Sequence, residues 1–276
     1  MHYQFMAPWV PLFVSAVDTE PAPFVSFQLA TVDSHGWPHV RTVVYRGFLF
    51  DDKTTNVICC TTDKRMGKYQ QIRANDRVEA VFWFPSLKRQ FRLQGRARII
   101  DDDHHPAISI PQAPREAVNS DDDDSLELAV PATKATPNKP LSAAIVSPSQ
   151  LSQLHTKDDS YTTLAQFNLQ PPSAQDWHDE IRRHWDKLSK PLRQSFRRPP
   201  PASDITDESL LLIDSIKRGV DGKKDTAGLV NFAVVALFAD RVDVLDLERD
   251  KRWVYQLDDD DSGHSEGHWT EAEVCP

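Results

Sequence analysis

The sequence predicts a β-rich α+β protein: a small closed or nearly closed barrel with flanking helices, interrupted by a long insertion. Three observations predict it. Residues 27–95 alternate short apolar strand segments with polar turns around a single helix. Residues 101–160 contain no Phe, Trp or Tyr. Apolar, β-branched segments resume at residue 229 and run close to the C-terminus. The chain has 276 residues, 39% of them apolar, and 20 prolines, a balance that fits a real core plus a sizeable unstructured part.

The elements follow in order. Residues 7–16 (APWVPLFVSA) suit a short helix opened by Pro8 or Pro11, because proline costs nothing in a first helical turn. Strand composition covers residues 24–32, and Asp33-Ser34-His35-Gly36 is a turn. A second strand is expected over 39–50, a polar turn over 51–56 and a third strand over 57–62. Residues 64–75 read as a helix with Met66, Tyr69 and Ile72 on one face. Two further strands cover 77–84 and 89–100; in the second, Phe91, Leu93 and Gly95 alternate with Arg92, Gln94 and Arg96.

The segment that follows cannot bury enough apolar area to offset its ordering entropy, and most of it is expected to be disordered. It carries Asp runs at 101–103 and 121–124, with Ile108, Leu126, Leu128 and Ile145 as candidates for local docking. Either a solvated loop or an acidic interaction segment fits this composition. Order returns in an amphipathic helix over 173–188, with Trp177, Ile181, His184, Trp185 and Leu188 on one face. Strands are expected over 229–238, 241–247 and 252–257, then an acidic hairpin loop over 258–268 and a closing strand. The chain thus divides into 1–100, the first part of the barrel; 101–172, the insertion; and 173–276, a helical stretch and the strands that complete the barrel.

Charge locates the chemistry. Residues 39–100 hold thirteen Lys and Arg against five Asp and Glu, inside a chain of net charge −9. A basic patch in an acidic protein points to a local anionic ligand rather than to nucleic acid. Three cysteines, Cys59 and Cys60 adjacent, make neither a disulfide framework nor a metal site and fit a reducing compartment; the adjacent pair reads as core filler. The first residues lack a basic region followed by an apolar run, and no apolar segment approaches about 20 residues, so a cytoplasmic protein is expected. Hydrolase, zinc-protease, P-loop and dinucleotide-fold signatures are absent, and no metal site is expected at His264 and His268.

The candidate phosphate ligands are Arg41, Arg46, Arg65 and Lys68. Arg41 and Arg46 are five apart, so strict alternation sends them to opposite faces unless the strand ends or bulges between them. Lys64, Arg65 and Lys68 open the expected helix, whose N-terminus offers free N–H groups to a phosphate. Thr61 and Thr62 precede it with hydroxyl donors, and Gln90 offers an amide that both donates and accepts, as the polar edge of a heterocycle requires. No residue stands out as a catalytic acid or base.

The segments LATVDSHGWPHVRTVVYRGF, TTDKRMGK, NDRVEAVFWF and RQFRLQG resemble the pyridoxamine 5′-phosphate oxidase family of FMN-binding split β-barrels. HWDKLSKPLRQSFRRPPP and RVDVLDLERDKRWVYQL resemble its oxidase-like FMN-binding branch more than the biosynthetic enzyme. The resemblance implies FMN lying along Arg41, Thr42, Val43, Val44 and Arg46. It implies Thr61, Thr62, Arg65 and Lys68 at the phosphate, Gln90 near the isoalloxazine, and Arg252 as the C-terminal cofactor arginine. The family's Ser-Arg-Lys is altered here, because Lys64-Arg65-Met66-Gly67-Lys68 lacks the serine. The resemblance also implies a homodimer with FMN at the subunit interface. Where the biosynthetic enzyme ends in R-L-H-D-R, this chain reads Glu248-Arg249-Asp250-Lys251-Arg252, which puts carboxylates where a substrate phosphate should bind. An FMN-dependent oxidoreductase of another small molecule is therefore expected. Pyridoxamine or pyridoxine 5′-phosphate oxidation and a non-catalytic flavin-binding module are the alternatives.

Overall fold

The computed structural model describes residues 6–21, 24–110, 141–142, 145–149, 170–258 and 268–276. The run 121–124, Leu126, Leu128, His264 and most of the expected disordered insertion lie outside the described residues. The architecture is an antiparallel eight-stranded sheet with flanking helices. Helix α1 (Trp9–Thr19) leads into strands β1 (Ser26–Val32), β2 (Pro38–Val44) and β3 (Val57–Asp63), then helix α2 (Gly67–Ala74) and strands β4 (Arg77–Phe84) and β5 (Arg89–Ile100). Two short strands, β6 (Ile108–Ser109) and β7 (Leu141–Ser142), pair in parallel apart from the main sheet. Helices α3 (Ala174–Asp186), α4 (Lys190–Ser195) and α5 (Asp207–Arg218) precede β8 (Phe232–Asp246), β9 (Lys251–Leu257) and β10 (Trp269–Val274). No helix among the described residues is long and apolar enough to cross a membrane.

The main sheet runs β10-β9-β8-β5-β4-β1-β2, with β3 also paired to β8. Strand β8 explains the split. One of its edges meets β5 along almost its full length, while the other is shared, with β3 opposite residues 232–238 and β9 opposite residues 241–246. The ring nearly closes where the chain leaves β2: Arg46 N donates to Cys59 O at 2.8 Å, Cys59 N donates to Gly47 O at 2.9 Å, and Phe48 bridges Ile58.

Two cores flank the central strands. In β8, Ala233, Val235, Leu237 and Ala239 face the barrel interior, while Phe232, Val234, Ala236 and Phe238 face the outer helices. Burial on both faces is why this stretch reads as a continuous apolar run. Cys60 belongs to the inner cluster and Cys59 to the outer one, both fully buried as core filler. Helix α1 plugs the barrel: the Phe13 ring makes edge contacts with Tyr45, Phe48, Phe82, Phe84 and Phe91 at 4.9–6.3 Å between centroids. Helix α3 lays Trp177, Ile181 and Trp185 on the outer core, and a Ser173–Asp176 capping box fixes its start.

Several expectations change. The second strand ends at Val44 rather than at residue 50; Leu49–Asp51 and Lys53–Thr55 form tight 3-10 turns. The helix expected from residue 64 starts at Gly67. The two strands expected over 229–247 are one strand: Asp240 is an extra residue opposite Gln94 and Gly95, a bulge and not a turn. Helix α5 has no counterpart in the sequence reading. The insertion is not uniformly apart from the core: Ile108 and Ile145 dock on the outer cluster, and Asp101 is buried, accepting from Tyr69 Oη at 2.8 Å.

Candidate functional site

A cavity of about 480 Å³ opens where the ends of β2 and β3 meet the start of α2 and the segment that runs from α4 into α5. Seven of the eleven expected site residues line it: Thr42, Val43, Val44, Arg46, Thr61, Thr62 and Lys68. Arg46 reaches it because β2 stops two residues earlier, so strand alternation no longer governs its direction. Thr61 and Thr62 reach it because β3 ends at Asp63, where the chain turns into α2.

Among the described residues, no carboxylate binds the cavity's cations Arg46 and Lys68. The Arg46 Nε is buried with no hydrogen bond. Among the described residues, Lys68 Nζ has only the Met66 Sδ, at 2.9 Å. Burial pushes both side chains below their ordinary pKa values; the Arg41 charge pushes Lys68 further, while Asp63 works the other way. The Cys60 thiol beside them is pushed up to about 12 by burial, despite Lys68, Arg46 and Arg41 nearby. At neutral pH it remains a thiol and supplies no counter-charge. A desolvated ammonium and guanidinium without a fixed anion is unfavourable unless an anionic ligand completes the set. The residues therefore fit a phosphate, with the Thr61 hydroxyl as a further donor; the Thr62 hydroxyl is already engaged, donating to Asp63 O at 3.2 Å.

Four expected residues do not line the cavity. Arg41 is spent within the fold: its guanidinium donates to Leu29 O at 3.0 Å, to Thr31 Oγ1 at 2.7 Å and to Gln71 Oε1 at 2.9 Å, tying β1, β2 and α2 together. Arg65 clasps Asp63, with Nη2 2.6 Å from Oδ2 and Nε 2.9 Å from Oδ1, and reaches the carbonyls of Phe196 and Arg198. Gln90 and Arg252 sit elsewhere on the sheet, on opposite sides of Leu245 in β8. Asp243 holds Arg252 through both oxygens, at 3.0 and 2.6 Å, and also takes Arg92 at 2.6 Å. Thr62 pairs with Ala233, near the other end of the same strand. Twelve residues of β8 separate the two positions, about 40 Å of strand contour at about 3.3 Å per residue.

The far wall was not anticipated. It is built from Leu192, Phe196, Arg198, Pro199–Pro201, Ile205 just ahead of α5 and Ile213 within it. Its signal in the sequence is the segment RQSFRRPPP, in which three consecutive prolines restrict the backbone.

Comparison with known proteins follows the same lines. Residues 6–101 match the family model described as the pyridoxamine 5′-phosphate oxidase FMN-binding domain. The uncharacterized protein YGR017W of Saccharomyces cerevisiae is 33% identical over 98% of this chain and 99% of its own length. Pyridoxine/pyridoxamine 5′-phosphate oxidase 2 of Arabidopsis thaliana is 34% identical, but over only 35% of this chain and 48% of that enzyme. A pyridoxamine 5′-phosphate oxidase-related, FMN-binding protein of Nostoc punctiforme shares the fold, with a TM-score of 0.62 at 22% identity over 98% of this chain and 99% of that one.

Proposed function

The chain belongs to the pyridoxamine 5′-phosphate oxidase-like FMN-binding family, its cofactor is FMN, and from that premise we propose that it is an FMN-dependent oxidoreductase acting on a small molecule other than pyridoxamine 5′-phosphate. The observation that carries this reading is the pair Arg46 and Lys68, half-buried beside one cavity with no carboxylate bound to either among the described residues. They hold the phosphate, with the Thr61 hydroxyl beside them. Residues Thr42, Val43 and Val44 present the end of β2 to the rest of the cofactor. Arg41 acts on the site from behind, through its charge and its tie to α2. Bound there, FMN supplies the hydride acceptor, and the protein supplies binding and orientation.

The same reading makes the protein a homodimer. Gln90 and Arg252 lie too far along β8 from Arg46 and Lys68 for one mononucleotide to reach both within a chain. A second copy brings its own Gln90 and Arg252 to the cavity. Large apolar side chains exposed on the barrel surface, Trp37, Val40 and Trp83, are available to such an interface. The turn from β8 to β9 carries Glu248 and Asp250, carboxylates at the two positions where the biosynthetic enzyme has its substrate-binding arginine and histidine.

The experiment is an FMN titration followed by flavin fluorescence. Wild type binds FMN and purifies yellow. The double variant Arg46→Ala/Lys68→Ala loses two charge-assisted contacts and binds at least about 100-fold more weakly. A wild type that stays colourless and ignores added FMN sinks the reading. Turnover of pyridoxamine 5′-phosphate at a rate comparable with the biosynthetic enzymes would replace the proposed substrate class with theirs. A flavin that no donor reduces would leave a binding module in place of an enzyme.

A further inference from the structure

Two adjacent arginines after α4 have opposite fates. Arg197 is turned into the body of the protein, where its guanidinium meets Asp221 at 3.1 Å and donates to the carbonyls of Lys223 and Lys224 at 3.0 and 3.2 Å. Arg198, exposed to solvent, lines the same cavity as Arg46 and Lys68, and no carboxylate among the described residues pairs with it. Its backbone is held from the cofactor side: Arg65 Nη1 donates to Arg198 O at 2.7 Å, and Nη2 donates to Phe196 O at 3.2 Å. Asn231 Nδ2 also donates to Phe196 O, at 2.8 Å. Pro199–Pro201 follow at once, and Ser203 Oγ caps the turn on Pro200 O at 2.8 Å. A turn fixed this many ways presents the Arg198 side chain with little freedom of backbone direction.

We propose that Arg198 is the third cation of the phosphate subsite and that Arg65 is the residue that positions it. A phosphate monoester presents three terminal oxygens. Lys68 and Arg46 approach from the barrel side, and a guanidinium from the far wall adds a fork of parallel donors. Arg65 has its own carboxylate, Asp63, and so acts through the turn it holds rather than on the ligand. This rests on the FMN reading and extends it to a segment outside the residues matched by the family model.

The test compares FMN with riboflavin, which lacks the phosphate, on the full-length protein. Arg198→Ala is expected to weaken FMN about 10- to 100-fold, the loss of one hydrogen-bonded charge, and to leave riboflavin within about twofold of wild type. Arg198→Lys restores part of the FMN affinity, as a point charge without the fork. Arg65→Ala lowers the FMN-to-riboflavin affinity ratio. In Arg65→Ala/Arg198→Ala that ratio falls no further than in Arg198→Ala alone, because a positioning residue has nothing left to position. Should Arg65→Ala fail to fold, Arg65→Lys keeps a charge opposite Asp63 and loses the reach to both carbonyls, and the same ratio is read from it. Arg198→Ala with wild-type FMN affinity, while Arg46→Ala/Lys68→Ala loses it, overturns the proposal and leaves the FMN reading intact. Fully additive ratios overturn the role of Arg65. Wild type that binds neither flavin overturns both readings.

Discussion

Gly95 shows how tightly single residues are fixed. A Cβ added there would lie 2.0 Å from the carbonyl oxygen of Phe238, which is backbone and cannot swing away. The bulge at Asp240 and this glycine make one feature, in which β8 presses a carbonyl onto β5 and only hydrogen fits. Gly95→Ala is expected to cost about 3 kcal/mol or more, read as a lower urea midpoint with an unchanged slope. At this scale the sequence was partly legible. Arg46 and Lys68 stand in segments that resemble a known binding pattern. Arg198 does not, because two adjacent arginines in RRPPP look equivalent until Asp221 claims one of them. Arg65 and Lys68 pose the same difficulty: both flank the start of α2, and only Asp63 decides that the first is spent internally.

Helix α3 shows what an element contributes through its buried charges. Glu180 accepts from Phe50 N at 3.0 Å, from Arg183 at 2.6 and 2.7 Å, and lies 3.1 Å from His184 Nε2, so it pins the helix to the turn after β2. Burial raises the Glu180 pKa, but the bonds from Arg183 and His184 outweigh it and hold the carboxyl at about 2, against 4.5 in an unfolded chain. That stabilisation is complete above pH 4.5 and is lost as the pH falls from 4.5 through about 2, at most about 3 kcal/mol. Burial lowers the His184 pKa below its ordinary value; the Glu180 carboxylate works against this and the Arg183 and Lys187 charges with it. An unfolded His takes up its proton near pH 6.5, so stability also falls below that point. Thermal melts are therefore expected to decline steadily on acidification from pH 6.5. Glu180→Gln should lower the melting temperature at pH 7 and flatten the slope below pH 4.5. The amphipathic period announced α3, because its burial is one-sided. It did not announce α5, where Leu210, Leu211 and Leu212 run together and remain exposed. The signals for α5 were the Thr206–Ser209 capping box and Gly219 in the left-handed conformation.

At the scale of the whole molecule, the distance between the Lys68 and Arg252 positions has a consequence for mixed assemblies. Neither Arg46→Ala/Lys68→Ala nor Gln90→Ala/Arg252→Ala should bind FMN well alone. In the proposed dimer, co-refolding them in equal amounts gives mixed pairs that contain one site with no substitution. Random pairing then restores about a quarter of the sites, read as bound flavin per chain after gel filtration. No recovery would mean that each chain binds its cofactor without help from the other. The barrel itself was legible from strand alternation and the break in composition. The continuity of β8 was not, because a polar residue at a bulge looks like a turn when its partner strand is unseen.

Strand β8 is also the last large piece of the barrel to leave the ribosome. β3 and β5 both need it as a partner, yet it lies about 170 and 130 residues downstream of them. Until it emerges, the nascent chain carries two unsatisfied strand edges, and the threonines at the end of β3 have no fixed place. Residues 6–101, the part that matches the family model, lack the partner strand of β3 and β5 and are expected not to fold alone. Expressed alone, they are expected to aggregate, and to be rescued when residues 170–276 are supplied on a second chain. Flavin capture must come late in biogenesis, after the C-terminal segment has closed the sheet.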